Sequence, residues 1–271
     1  MTLDELKKNW KNNRAESGRI QEKIWDERAE EFKEKSLPTK ENHEFLRYLY
    51  EKIPVNRKMS VLDIGCGAGQ ITLSLARDVA EAVGADVSGK MIEAAREYAM
   101  REKTDNVKFY KEDWQTADLD KLGFRKHFDL VYAHMTPAIA DYETLDKMND
   151  CTKEYCLLVK PARRRDFVQD EVFEKAGIFG QKKQYDDAIV NTFSYLWQKG
   201  YEPELSYRKE TWEAERSLES MRKWCVERAR LLREITCEEE EKILKHLKRI
   251  SRNGTIADKT ITTIVTICWK V

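Results

Sequence analysis

The feature that most constrains this chain is the alternation, from residue 60 to residue 133, of short apolar runs with amphipathic ones. The pattern predicts strands at Ser60–Ile64, Ala82–Asp86, Asn106–Tyr110 and Phe128–Ala133, with helices at Gln70–Ala76 and Lys90–Arg101. Parallel strands need crossover connections, and a sheet buried on both faces needs strands that are apolar throughout. This order predicts an α/β fold of doubly wound type, with a seven-stranded, mostly parallel sheet. A helix at Tyr142–Asp150, a strand at Cys156–Val159, a helical stretch from Asp166, and strands at Glu204–Thr211 and Thr260–Trp269 complete the reading. The last strand, TITTIVTICW, is dominated by β-branched residues, which pack well on a pleated surface.

Residues 1–54 read as a helical N-terminal cover and residues 55–271 as the sheet domain. From Met1 to Lys35, Trp10, Ile20, Ile24, Trp25, Ala29 and Phe32 recur at helical spacing until Ser36-Leu37-Pro38 breaks the pattern. Thr39 is placed to cap a second helix that carries Phe45, Leu46, Leu49 and Ile53 on one face and ends at Pro54. Two stretches, at about 177–200 and 213–254, exceed what connections need and read as helical inserts. In the second, the acidic run Glu238–Glu241 suits a helix N-terminus.

Lys+Arg and Asp+Glu cancel at 49 each, so no global field draws the chain to nucleic acid or to an anionic membrane. The ligand is expected to be small, or to be read locally. Six cysteines without C-x-x-C spacing imply a reduced, cytoplasmic setting. No apolar leader follows Met1, and no run approaches the ~20 apolar residues of a membrane span. No compact Asp/His cluster appears, so no metal is expected. The oligomeric state is not legible.

The chemistry concentrates in Val61-Leu62-Asp63-Ile64-Gly65-Cys66-Gly67-Ala68-Gly69-Gln70, a buried strand that enters a glycine-rich turn and then a helix. Glycine is required where the backbone takes positive φ or must approach a ligand without an intervening Cβ. A dinucleotide fingerprint would be G-x-G-x-x-G/A, with the pyrophosphate on the helix N-terminus. Here Gln70 holds the last position, the spacing is G-x-G-x-G, and Asp63 stands two residues before it. A carboxylate and backbone carbonyls suit an amino-acid ammonium better than a diphosphate.

These residues resemble the first motif of class I S-adenosylmethionine (SAM)-dependent methyltransferases, whose sheet is Rossmann-like. The resemblance runs motif by motif from about Trp25 to Pro161. It implies SAM as cofactor, with Gly65, Cys66 and Gly67 along the methionine moiety and Asp63 on its ammonium side. Asp86 ends the second strand, where a carboxylate can accept from both ribose hydroxyls or simply cap a helix. Val87 and Met91 resemble the apolar residues around the adenine. Asp113 matches the acid that takes the adenine amino group, and Trp114 beside it could stack on the ring or donate its indole N–H. Gln70 and Ala133 complete the candidate lining.

At the end of the fourth strand, His134 stands where an imidazole could take a proton from an incoming hydroxyl, amine or thiol, or could serve only in packing. The Asn/Asp-Pro-Pro-aromatic motif of methyltransferases acting on adenine or glutamine amino groups is absent from His134-Met135-Thr136-Pro137. Trp25-Asp26-Glu27-Arg28-Ala29-Glu30-Glu31-Phe32 resembles the segment that closes over SAM in small-molecule methyltransferases of the ubiquinone-biosynthesis type, with Trp25 against the ligand or packed on its own helix. Phe179, Tyr185, Phe193, Tyr195 and Trp197 could wall an acceptor pocket or pack helices. Arg163-Arg164-Arg165 reads as an anion site or, preferably, a solvated basic loop. His43, His127 and His246 read as surface residues. The resulting expectation is an enzyme that methylates a small molecule at O, N, S or C. The alternatives are a protein or nucleic-acid methyltransferase, a non-catalytic SAM-binding scaffold, and a nicotinamide oxidoreductase.

Overall fold

The alternation of apolar and amphipathic runs resolves into one seven-stranded sheet and its flanking helices. The computed structural model describes residues 2–11, 14–32, 36–179, 185–230 and 232–271. The elements in chain order are α1 (Leu3–Asn9), α2 (Arg14–Arg28) with a following 3-10 turn (Ala29–Phe32), α3 (Glu44–Lys52), β1 (Ser60–Ile64), α4 (Gln70–Ala76), β2 (Glu81–Asp86) and α5 (Gly89–Arg101). Then come β3 (Val107–Lys111), α6 (Leu119–Leu122), β4 (Phe128–His134), α7 (Tyr142–Cys151), β5 (Thr152–Asp166) and α8 (Phe167–Ala176). The chain ends with α9 (Tyr185–Gln198), β6 (Glu204–Ser217), α10 (Leu218–Arg230), α11 (Cys237–Ile250) and β7 (Thr255–Lys270).

The strand order is β3-β2-β1-β4-β5-β7-β6. β1 pairs in parallel with both β2 and β4, so the winding reverses beside it. Open α/β sheets bind ligands beyond the carboxyl ends of their strands at such a switch point. The register places Asp63 opposite Gly84, Asp86 opposite Lys111, and His134 opposite Val159. Val61, Leu62, Leu130, Val131 and Tyr132 are fully buried, as the near-continuous apolar runs require. Each such side chain contributes about 1.5–3 kcal/mol by leaving water.

The chain divides into two compact units. The first comprises residues 1–160, 190–206 and 266–271, so the N-terminal segment belongs with the first four strands. In it, α3 buries Phe45, Leu46 and Leu49, the face read from the sequence. The second comprises residues 161–189 and 207–265. Its core is formed by α8, α10 and α11 through residues such as Val172, Phe173, Met221, Cys225, Ile243 and Leu247.

Several boundaries differ from the sequence reading. Thr39 does not cap α3: its carbonyl accepts the amides of Asn42 (3.2 Å) and His43 (2.9 Å), which makes a separate turn, and the helix starts at Glu44. The stretch from Met1 to Lys35 is two helices rather than one, because α1 ends at Asn9; residues 33–35 lie outside those described. Residues 213–217 are strand, not helix, and β7 begins at Thr255. Arg216 pairs with Asp258 (3.2 Å) and Lys259 with Glu213 (2.9 Å), so charged partners support this extension. β5 likewise runs on to Asp166, whose carboxylate accepts from Thr260 Oγ1 at 2.6 Å. The helical reading of the first insert holds for α9, while residues 180–184 lie outside those described. Thr236 and Glu239 form a capping box at the start of α11, where the acidic run had placed a helix N-terminus.

Candidate functional site

Three glycines follow β1, and their surroundings differ. Gly65 (φ 71°) and Gly67 (φ 54°) both take the left-handed conformation that other residues enter at a cost. A Cβ on Gly65 would fall 2.0 Å from Thr136 Oγ1, so the loop after β4 presses directly on it. A Cβ on Gly69, the N-cap of α4, would fall 2.6 Å from the Phe109 ring. Around Gly67, no atom of the described residues lies within 4 Å of where a Cβ would stand, so among them its main chain faces open space.

The loop is tied to the end of β2. The amides of Gly65 (2.7 Å) and Cys66 (3.1 Å) both donate to the Ala85 carbonyl. The amide of Gly67 donates to Asp86 Oδ2, and that of Ser88 to Asp86 Oδ1, each at 2.9 Å. A carboxylate offers about four acceptor positions, so roughly two remain for a ligand's hydroxyls. Burial raises the pKa of Asp86 while these two amides oppose the rise.

Asp63 is 3% exposed and accepts from Thr72 Oγ1 at 2.7 Å. Burial pushes its carboxyl up to about 7, against the Thr72 and Tyr132 hydroxyls, which favour the anion. No cation among the described residues forms an ion pair with it. An incoming ammonium would supply the missing charge. Burial also raises the Cys66 thiol, and Asp63 and Asp86 add to the effect, so the neutral thiol is favoured over the thiolate.

Helix α2 lies over this region. Trp25 and Ala29 pack with Ala68, Leu73, Met91 and Phe109. The Trp25 indole donates to Gln21 within its own helix (3.2 Å), and Gln70 Nε2 donates to the Phe32 carbonyl (3.4 Å). Of the two residues read as adenine neighbours, Met91 is buried in the same cluster and Val87 is half-buried. Two residues without an assigned role in the sequence reading matter here. Asp26 accepts from Ser88 Oγ (2.6 Å) and the Lys90 amide (3.2 Å), which anchors α2 to the start of α5. Gly18 lets α2 touch Asp113: a Cβ there would fall 2.2 Å from Asp113 Oδ2. A glycine within a helix was the available signal.

Asp113 Oδ1 accepts the Gln115 amide at 3.0 Å, and its other oxygen faces α2. Trp114 requires a correction. It is 3% exposed and its indole donates to the Thr144 carbonyl at 3.1 Å, so that donor serves the packing of α7 and is not available to a ligand.

At the end of β4, Ala133 is fully buried and the His134 ring leans on Phe45 of α3, with centroids 4.5 Å apart. His43 is not a remote surface residue: its ring lies 5.6 Å from that of His134. His246 is also buried, with Nε2 3.2 Å from Glu171, because α11 turns it toward α8. His127 is on the surface, beside Glu81 at 2.9 Å. Met135 takes φ 55° directly after β4, an unusual conformation for a side-chain-bearing residue, and strain of this kind collects at functional sites.

The arginine triplet is partnered locally: Arg164 pairs with Asp166 (2.8 Å), the Arg163 guanidinium lies 3.8 Å from Asp186, and Arg165 stands over the Phe167 ring at 4.4 Å. The aromatic residues of the first insert do not share one environment. Tyr195 is buried edge-on to Trp10, Trp197 is exposed and stacked by Phe193, and Phe179 is exposed. The Tyr185 side chain lies outside those described.

A seven-stranded sheet of order β3-β2-β1-β4-β5-β7-β6, with a glycine turn at its switch point and an acid ending the neighbouring strand, fits the class I SAM-dependent methyltransferases. Residues 55–257 match the model of a family described as "Methyltransferase domain", and the chain belongs to that family. The fold is similar to YcgJ of Bacillus subtilis, with 18% identity and a TM-score of 0.52 over 84% of this chain and 98% of that one. It is equally similar to a candidate methyltransferase of Bacillus halodurans, with 14% identity and a TM-score of 0.52 over 84% of this chain and 99% of that one. Among curated proteins, the 23S rRNA (uracil(1939)-C(5))-methyltransferases RlmD of Alkalilimnicola ehrlichii and Aeromonas salmonicida are each 42% identical over 71 residues, 26% of this chain. That stretch is 16% of the length of each relative.

Proposed function

We propose that the protein transfers a methyl group from SAM to a small-molecule acceptor. The observation that carries this reading is the bare main chain at Gly67 beside Asp86, whose two amide donors leave acceptor capacity for a ribose. The residues present suit the cofactor. Gly67 leaves room for the nucleoside to lie against the turn, Asp86 would receive its sugar hydroxyls, and buried Asp63 would balance its ammonium. Bound there, SAM would supply an electrophilic methyl group on a sulfonium, which the acceptor's lone pair would take as the carbon–sulfur bond broke and a neutral thioether left.

A reaction of this type asks the protein chiefly for alignment and exclusion of water. Helix α2, anchored through Asp26, would supply the cover. His134 would receive the proton of a hydroxyl, amine or thiol acceptor. Asp113 would meet the adenine amino group once α2 shifts from its carboxylate. The likeness to rRNA methyltransferases supports a second reading with RNA as acceptor, but it spans a small part of those proteins, and the charge balance of this chain offers no general attraction to phosphates.

The two readings separate in one experiment. The protein is incubated with methyl-labelled SAM and either the dialysable fraction, the RNA or the protein of a cell extract. Label is expected in a dialysable product that separates chromatographically from SAM. Label in RNA or protein instead would overturn the small-molecule reading, and SAM binding without S-adenosylhomocysteine formation in any fraction would favour a scaffold.

A further inference from the structure

Among the described residues, one cation beside the glycine turn has no counter-ion. Lys160 lies on β5 directly after Val159, the register partner of His134. Its ammonium donates to the carbonyls of Thr136 (2.6 Å) and Ile139 (2.8 Å), and Thr136 is the residue pressed against Gly65. An ammonium has three N–H donors. The third has no partner among the described residues, and no carboxylate among them pairs with this lysine. Withdrawal from water pushes its pKa down to about 8.

Two carbonyl dipoles hold the ammonium in place without neutralising it. A part-buried charge kept in this way is costly to the fold, and an apolar side chain of similar length would avoid the cost. The cations that the sequence made conspicuous are different: Arg164 and Arg163 each have an aspartate beside them.

Resting on the methyltransferase reading, we propose that Lys160 recognises a carboxylate carried by the methyl acceptor. The spare N–H and the uncompensated charge form the attachment point. The Thr136 and Ile139 carbonyls aim it, and the contact between Thr136 and Gly65 places it next to the turn assigned to the cofactor. The substrate class is a small organic acid whose nucleophile lies a short distance from its carboxylate.

The test uses the full chain saturated with S-adenosylhomocysteine, with benzoate as probe and benzamide as its neutral analogue, both followed by calorimetry. Benzoate is expected to bind at least about tenfold more tightly than benzamide, the scale of one charge-assisted hydrogen bond. Lys160→Met is expected to erase that preference and Lys160→Arg to keep most of it, with S-adenosylhomocysteine affinity within about twofold in both. Lys160→Gln, which keeps donors for the two carbonyls without the charge, replaces the methionine variant should that one not fold. Equal binding of the two probes by the wild-type protein, or no benzoate binding by protein that does bind S-adenosylhomocysteine, would overturn the proposal. Failure of the wild-type protein to bind S-adenosylhomocysteine would strike the cofactor reading itself and take this proposal with it.

Discussion

Replacing Asp86 with asparagine perturbs the proposed cofactor site with the least change in shape. Both carboxylate oxygens accept backbone amides at 2.9 Å, one from Gly67 and one from Ser88. In Asp86→Asn one of them becomes an NH2 group that must face an N–H donor, and the charge that would strengthen bonds to ribose hydroxyls is gone. Hydrogen bonds to a charged group are worth about 1.5–3 kcal/mol each. Loss of one such interaction corresponds to an affinity for S-adenosylhomocysteine lower by a factor of roughly 10–150. Folding stability should change less, because burial already opposes the charged form of Asp86. Calorimetric titration of both proteins, paired with their thermal midpoints, measures the two effects separately. Affinities within about twofold at equal stability would refute the role given to Asp86.

Asp63 makes a prediction about pH. Its folded pKa is raised from 3.8 to about 7, so folding takes up a proton between those values; the stability this contributes is present at low pH and lost as pH rises toward 7. Asp63→Asn should remove that slope, about 1.4 kcal/mol per pH unit at most, and parallel denaturation midpoints for the two proteins from pH 4 to 7 would contradict it. Gly18→Val should wedge α2 away from Asp113 and speed proteolysis within residues 14–32; an unchanged cleavage rate would mean that contact does not hold the helix in solution. His134→Ala should lower turnover while leaving S-adenosylhomocysteine affinity intact, and equal turnover numbers would reduce the imidazole to a wall of the site.

The part of the fold that the sequence exposed best is the part where burial on both faces dictates composition. β1 and α4 match their sequence-read bounds to the residue, because a run of apolar side chains ends in glycines that only a turn explains. The lengths of β6 and β7 were hidden because their extensions carry ion pairs such as Arg216 with Asp258, and charges have no hydrophobic period. Within the candidate site, the positions of Gly67 and Asp86 were legible because backbone conformation and strand position select them. Trp114 was misread in part because the partner of its indole, the Thr144 carbonyl, comes from a distant helix. Lys160 could not be singled out, and Gly18 only as a glycine within a helix. Their significance lies in what the fold brings against them: two carbonyls and, among the described residues, no counter-ion in one case, the Asp113 carboxylate in the other.

Under the proposed function, a sulfonium nucleoside rests on the exposed backbone of Gly67 with its sugar on Asp86. A crystal structure of the protein grown with S-adenosylhomocysteine measures this most directly. The expected result is ligand density against Gly67 with both ribose hydroxyls within hydrogen-bonding distance of the Asp86 carboxylate. Density for the ligand elsewhere, or a Gly67 face that stays empty at saturating ligand, would contradict it.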